Sequence, residues 1–336
     1  MDQDPTPRLT TAEAARIAQD SFSVSALATV LPSERDQNFL LQTAAGVRYV
    51  LKIAKADEPR AVLECQNAVL RHAAGRAPGL ALPQLHPTRA GAELAQIEDH
   101  GNRRHFVRLI GWLEGQMYAV ARPHTARLLS SLGSMMAELD CALADFSHPA
   151  MQRSLPWDLK CANLALEHLP LLPAVQQQCV RQLMAPWQDI DWSGLRHGVI
   201  HGDANDHNVL VRSGAVAGVI DFGDSLHSAV VGDVAIAIAY AMLDQPQPLA
   251  AAAIILRAYH ARFPLQRAEI DVVYALICAR LCMSLCIAAY NAQAKSGDAY
   301  QQVTAGPAWQ LLQRLAGVPP AAAAATLRSA CTATAA

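Results

Sequence analysis

Hydrophobic residues follow two different periods along this chain. Before about residue 111 they fall in short runs of strand length, Ser25 to Val30, Phe39 to Leu41, Val47 to Ile53, Ala92 to Ile97 and His105 to Ile110, with turns at Ala44-Ala45-Gly46 and Glu98 to Asn102. These runs predict a small antiparallel sheet. Along Val47 to Ile53 the alternation puts Val47, Tyr49, Leu51 and Ile53 on one face and Arg48, Val50 and Lys52 on the other. A leading helix over 12–19 is predicted from the capping box of Thr10 and Glu13. A second runs from about Glu58 to Ala74, with Val62, Val69 and Ala73 on one face and Glu64 off it.

The texture changes at the glycine-bracketed Gly111-Trp112-Leu113-Glu114-Gly115. From His124 to Phe146, Leu128, Leu129, Leu132, Met135, Met136, Leu139 and Leu143 recur at helical spacing, a core stripe that Ser147-His148-Pro149 stops. Helices are also predicted over Ala174 to Met184 and over Gly232 to Tyr240, the latter with Asp233 at the positive end of its dipole. The pattern is α+β, with an N-terminal part over 1–111 and a mainly helical part over 112–336. The Ala-rich end, Pro319 to Ala336, has little to bury and is expected to fray.

Composition narrows the function classes. The chain has 336 residues, 52% hydrophobic and 17% charged, enough to bury a core and unlike a disordered sequence. A net charge of -2 without a basic run gives no electrostatic basis for nucleic acid or an anionic membrane as partner. A small molecule is the expected partner. The 8 cysteines contain no C-x-x-C pair, and the polar start Met1-Asp2-Gln3-Asp4-Pro5 is unlike a secretory signal, which points to a reducing cytoplasm. Ile270 to Tyr290 has the length of a membrane span but carries Arg280 at its middle, so a buried helix is the expectation. Cys278, Cys282 and Cys286 on it read as small buried side chains, since three thiols on one helix do not close a tetrahedral metal site.

The chemistry concentrates between Val199 and Asp224. Three apolar runs, Gly198 to Ile200, Val209 to Val211 and Val216 to Ile220, are interrupted by two polar knots, the pattern of a small hairpin. The first knot, His201-Gly202-Asp203-Ala204-Asn205-Asp206-His207-Asn208, fits the pattern H-x-D-x-x-x-x-N, and the second, Asp221-Phe222-Gly223, fits D-F-G. Phosphoryl transfer needs this grouping because its transition state is loose and anionic, so catalysis consists of placing a nucleophile in line and neutralising oxygens. Asp203 would orient the acceptor hydroxyl, while the Asn208 amide and the Asp221 carboxylate offer the hard-oxygen ligation that suits Mg2+. Val50-Leu51-Lys52 has the form of the strand lysine that binds nucleotide phosphates and pairs with a helix glutamate, Glu64 or Glu58 here.

On these motifs the chain resembles the aminoglycoside phosphotransferase and choline kinase superfamily, from about Leu31 to about Leu312. N-D-H-N-V-L-V, V-I-D-F-G-D, V-A-I-A-I-A-Y-A-M, A-R-L-C-M-S-L-C-I-A-A-Y and S-E-R-D-Q-N-F are similar to its hydroxylysine kinase branch. The resemblance implies a two-lobed protein-kinase-like fold, with the lobe boundary and adenine-contacting hinge at Gly111 to Gly115. Ser33 to Asn38 would lie over the phosphates without glycines, with Arg35 as a phosphate contact. Asp233 would anchor the catalytic loop. It implies a kinase using ATP or GTP with Mg2+ on a hydroxyl of an amino compound, 5-hydroxylysine first. Asp206, His207 and Asp224 would face ammonium groups and Arg280 a carboxylate, because buried charges must be paired. Homoserine, choline, ethanolamine or an aminoglycoside would satisfy much of the same chemistry. A non-catalytic nucleotide-binding regulator is the reading from another class, against which Lys52, Asp203, Asn208 and Asp221 are all present.

Overall fold

The computed structural model describes residues 6–33, 36–294 and 304–332. Its contacts separate into two compact units, Met1–Glu114 and Gly115–Ala336. The first begins with helix α1 (Thr11–Phe22), whose capping box between Thr10 and Glu13 forms as its sequence predicts. Strands β1 (Ala26–Leu31), β2 (Gln37–Thr43) and β3 (Arg48–Ile53) follow as an antiparallel meander. Helix α2 (Arg60–Arg76) comes next, then β4 (Leu85–His86), β5 (Ala95–Glu98) and β6 (Arg104–Gly111). The sheet order is β1-β2-β3-β6-β4, with β5 also pairing β6. Phe39, Leu41, Leu51, Ile53, Val107 and Leu109 form one fully buried face, covered by Ile17, Ala18 and Phe22 of α1. The alternation along β3 therefore sends Lys52 to the opposite face.

The second unit begins with a short strand, β7 (Gln116–Met117), and the helix α3 (Ala126–Leu143), capped by the Thr125 hydroxyl. Short α4 (Ala162–Leu166) and α5 (Ala174–Gln188) follow. Then come β8 (His197–Ile200), β9 (Val209–Arg212), β10 (Ala215–Val219) and β11 (Leu226–Ala229). The expected hairpin of three runs is corrected here. β9 and β10 do form a hairpin, through Ser213 and Gly214 with φ of 55 and 73°, but β8 leaves it and pairs β11 in a separate sheet. The two polar knots are thus the crossings between these sheets.

The helical core is built on α6 (Val231–Ala241), α7 (Pro248–Arg262) and α8 (Arg267–Ala294), completed by α9 (Ala305–Ala316) and α10 (Pro320–Thr332). Every residue of α6 is buried, which is why it is apolar on all sides. Helices α3 and α7 cross so closely that a Cβ on Gly133 would lie 2.0 Å from the Ile255 carbonyl oxygen. Helix α8 is long and apolar enough to cross a membrane by length and composition, yet 83% of its apolar window is buried in the protein's own fold. Cys278, Cys282 and Cys286 are buried on it, and burial pushes the Cys278 and Cys286 thiols up to about 12. Among the described residues no group of His, Cys, Asp or Glu is placed to hold a metal ion by itself. The Ala-rich end does not fray over 320–332: α10 buries Ala323, Leu327 and Ala330 against α7 and α8. Small side chains let it pack at close range.

Candidate active site

In the first unit, Lys52 is half-buried on β3, directly across from Asn38 of β2 and Arg108 of β6. Same-row neighbours on adjacent strands lie close enough to act together. Arg108 is buried and donates to Asn67 Oδ1 of α2 at 3.2 Å, and the buried Oδ1 of Asn38 has no hydrogen-bond partner among the described residues. Glu64 is placed otherwise than expected: it projects from the exposed side of α2 and pairs with Arg60 at 2.7 Å. Glu58 lies 3.8 Å from Lys55. On α2, Asn67 reaches the Lys52 row through Arg108, whereas Glu64 stands off the buried stripe of that helix. Arg35 lies outside the described residues. Trp112 is half-buried under the Arg48 guanidinium, 5.2 Å from its ring centre.

In the second unit the catalytic-loop motif is tied down from several directions. Asp233 in the first turn of α6 is fully buried and accepts from the His201 and Gly202 N–H groups, both at 2.9 Å. The His201 Nε2–H donates to the Ile220 carbonyl at 3.0 Å, which leaves Nδ1 to accept the Asp203 N–H at 3.2 Å. His201 also packs edge-on against Phe222, ring centres 4.7 Å apart, joining the two knots. Gly202 adopts φ of 79°, and a Cβ on it would lie 2.6 Å from the Asp224 carbonyl oxygen. Glycine is required there on both counts.

Asp203 keeps 20% of its side-chain surface exposed. Its Oδ2 accepts from Asn205 Nδ2 at 2.9 Å and Asn208 Nδ2 at 2.8 Å, and its Oδ1 accepts from Arg280. Burial pushes this carboxyl up to about 7, opposed by the Arg280 charge and reinforced by Asp224 and Asp221 nearby. The structure thus brings Asp203, Asp221 and Asp224 together. Asn208 also donates to the Asp203 carbonyl at 2.9 Å, so both bonds come from its amide nitrogen. Its amide oxygen has no hydrogen bond among the described residues. Asp221 sits in the left-handed region at φ 62° and is exposed, with its carboxylate accepting the Gly223 N–H at 3.2 Å. An amide oxygen with a carboxylate is the donor chemistry that fits a divalent cation with hard-oxygen preference.

Two expected substrate contacts change meaning. Arg280 is 1% exposed and is held by three partners: Asp203, the Trp157 carbonyl at 3.0 Å and the Tyr240 hydroxyl at 3.1 Å. It pairs with the chain's own carboxylate rather than awaiting one from a substrate. Asp224 is buried beneath the loop. His207 is half-buried, its N–H donating to Asn205 Oδ1 at 2.8 Å. Asp206 is half-buried, with a buried Oδ1 that has no hydrogen-bond partner among the described residues and a carboxyl raised by burial. Sequence reasoning missed Asn205, although its asparagine two residues after Asp203 is a turn-forming signal. It also missed Arg153, which donates to the Gly223 and Ser225 carbonyls at 2.7 and 2.6 Å and fixes the second knot. No local signal in the sequence marks Arg153 or Trp157.

Comparison with known proteins gives the family and the fold. The phosphotransferase enzyme family, APH, matches residues 28–270. Mouse hydroxylysine kinase is 31% identical over 92% of this chain and 90% of its own length. Homoserine kinase of Methylobacterium nodulans is 31% identical over 59% of each chain. The solved complex of amicoumacin kinase hAmiN with AMP-PNP, Ca2+ and Ami shares the fold at a TM-score of 0.68, with 15% identity, covering 91% of this chain and 94% of that one. With the motif residues Asp203, Asn208 and Asp221 gathered in one loop system and the family matched over most of its length, the chain belongs to the APH phosphotransferase enzyme family and is a small-molecule kinase with a hydroxyl acceptor.

Proposed function

We propose that this kinase transfers the γ-phosphoryl group of ATP or GTP to the side-chain hydroxyl of 5-hydroxy-L-lysine. The observation that carries the reading is the Asp203 carboxylate, one-fifth exposed and held by the amide nitrogen of Asn208, with hydroxylysine kinase similar over nearly the whole chain. In this reading Asp203 orients the acceptor hydroxyl and takes its proton. Lys52, with Arg108 beside it, binds the nucleotide phosphates, and Asn208 and Asp221 hold magnesium. Bound there, magnesium supplies positive charge to the phosphate oxygens. The partnerless Oδ1 of Asp206 suits an ammonium group of the acceptor, since a buried acceptor atom without a donor is costly until one arrives. Hydroxylysine has two amines and one hydroxyl, which fits an acidic surround.

The homoserine kinase relative favours a second acceptor, a shorter hydroxyl amino acid. A panel of hydroxylysine, homoserine, choline, ethanolamine and an aminoglycoside, run with ATP and with GTP and magnesium, ranks the acceptors and donors. Hydroxylysine is expected to give the highest kcat/KM. Asp203→Asn should lower kcat by about 10²- to 10⁴-fold, and because it also takes the counter-charge from buried Arg280 the melting temperature should fall, so kcat is read on protein that thermal melting shows to be folded. Normal turnover by that variant would overturn the assignment of the base, and an inert wild-type protein across the panel would overturn the acceptor class.

A further inference from the structure

We propose that Arg280 is a positioning residue for the proton-accepting step: it fixes the Asp203 carboxylate so that Oδ1, and not Oδ2, receives the proton of the acceptor hydroxyl. The proposal rests on the reading of Asp203 as the base.

The hydrogen-bond inventory of the carboxylate leads to it. Oδ2 accepts two donors, Asn205 Nδ2 at 2.9 Å and Asn208 Nδ2 at 2.8 Å, which fill the two lone-pair directions of a carboxylate oxygen. Oδ1 accepts Arg280 alone among the described residues, so one direction remains for a hydroxyl. The transfer then balances. The acceptor oxygen forms a bond to the γ-phosphorus, the bridging bond to the β-phosphate breaks with its electron pair leaving on the nucleoside diphosphate, and the hydroxyl proton passes to Oδ1.

Arg280 is built to hold still. Its guanidinium lies 4.5 Å from the Trp157 ring centre and 5.5 Å from that of Tyr240. Nε donates to the Tyr240 hydroxyl at 3.1 Å, and Nη1 to the Trp157 carbonyl at 3.0 Å. The Tyr240 hydroxyl is in turn within 3.0 Å of Ser284 Oγ, which donates to the Arg280 carbonyl one turn back on α8. A planar guanidinium with its nitrogens committed in different directions has one orientation, and a lysine ammonium could not reproduce it. The remote helix α8 thereby sets the angle of a loop carboxylate. Such an arrangement affects the rate more than substrate affinity, because misplacement of about 1 Å near the reacting atoms lowers rates about a hundredfold.

The test uses the full-length protein with MgATP and hydroxylysine, or the best acceptor of the panel. Arg280→Met should lower kcat about a hundredfold with the KM values for both substrates within about twofold of wild type, and Arg280→Lys should recover part of the loss. Because a buried charge partner is removed, folding is checked by thermal melting. Tyr240→Phe retains the ion pair and removes only one anchor of the guanidinium, so it decides the matter if Arg280→Met does not fold. It should lower kcat roughly tenfold with KM unchanged. Wild-type kcat in folded Arg280→Met or in Tyr240→Phe overturns the proposal. So does a loss confined to the acceptor KM, which would make Arg280 a substrate anchor. A wild-type protein that phosphorylates no hydroxyl refutes the kinase reading instead, and the two failures are separate results.

Discussion

Replacing Asp233 by asparagine tests whether one buried carboxylate holds the catalytic loop in place. Its two oxygens accept the consecutive His201 and Gly202 N–H groups at 2.9 Å each, inside a fully buried first turn of α6. Asparagine retains one oxygen and turns an NH2 group toward the other N–H, so one charge-assisted bond is lost and a buried donor is left facing a donor. A bond to a charged acceptor contributes about 1.5–3 kcal/mol, and losing the helix-dipole contact of a first-turn acid adds a few tenths, for a total of roughly 2–4 kcal/mol. At about 2–4 °C per kcal/mol for a unit of this size, the melting temperature should fall by roughly 5–15 °C. Asp203 follows Gly202 directly, so kcat should also fall, by about a hundredfold for a displacement near 1 Å. Calorimetric melting and steady-state kinetics on the same preparation read both. If Asp233→Asn melts within about 2 °C of wild type and turns over normally, the loop is not held by this contact.

Asp140 on α3 is fully buried and accepts from the Tyr259 hydroxyl, and its carboxyl is raised well above the ordinary 3.8 by burial and by the neighbouring Asp233 charge. The folded state therefore keeps a proton that the unfolded chain releases near pH 4, so this group's contribution to stability is full at low pH and declines as pH rises toward the folded-state value. Asp140→Asn should remove a slope of up to about 1.4 kcal/mol per pH unit in that range, and urea melts from pH 4 to 8 with parallel slopes for both proteins would refute it. Gly133→Ala forces a Cβ to within 2.0 Å of the Ile255 carbonyl and should cost roughly 3 kcal/mol as α3 and α7 separate, read as a lower urea midpoint at unchanged m.

The periods of the hydrophobic pattern determined most of the elements of this protein. The alternation along Val47 to Ile53 put Leu51 and Ile53 in the core and Lys52 on the other face, as period two requires in any sheet. The capping box at Thr10, the α3 stripe and the buried α6 follow from local rules in the same way. The spacing within His201 to Asn208 was also enough to bring Asn208 back onto Asp203, since a turn of that length closes on itself. Pairings between distant segments were different. Nothing local could tell that β8 joins β11 rather than the β9-β10 hairpin, or that an alanine-rich tail would find close-packed helices to cover. The Glu64 expectation failed because a helix's rotation about its own axis depends on what it packs against, and that rotation gives the inner position to Asn67. Arg280 shows the limit most plainly. The sequence marks a charge inside an apolar helix, which must be paired somewhere, but only the tertiary fold selects Asp203, Trp157 and Tyr240 from far along the chain as its partners.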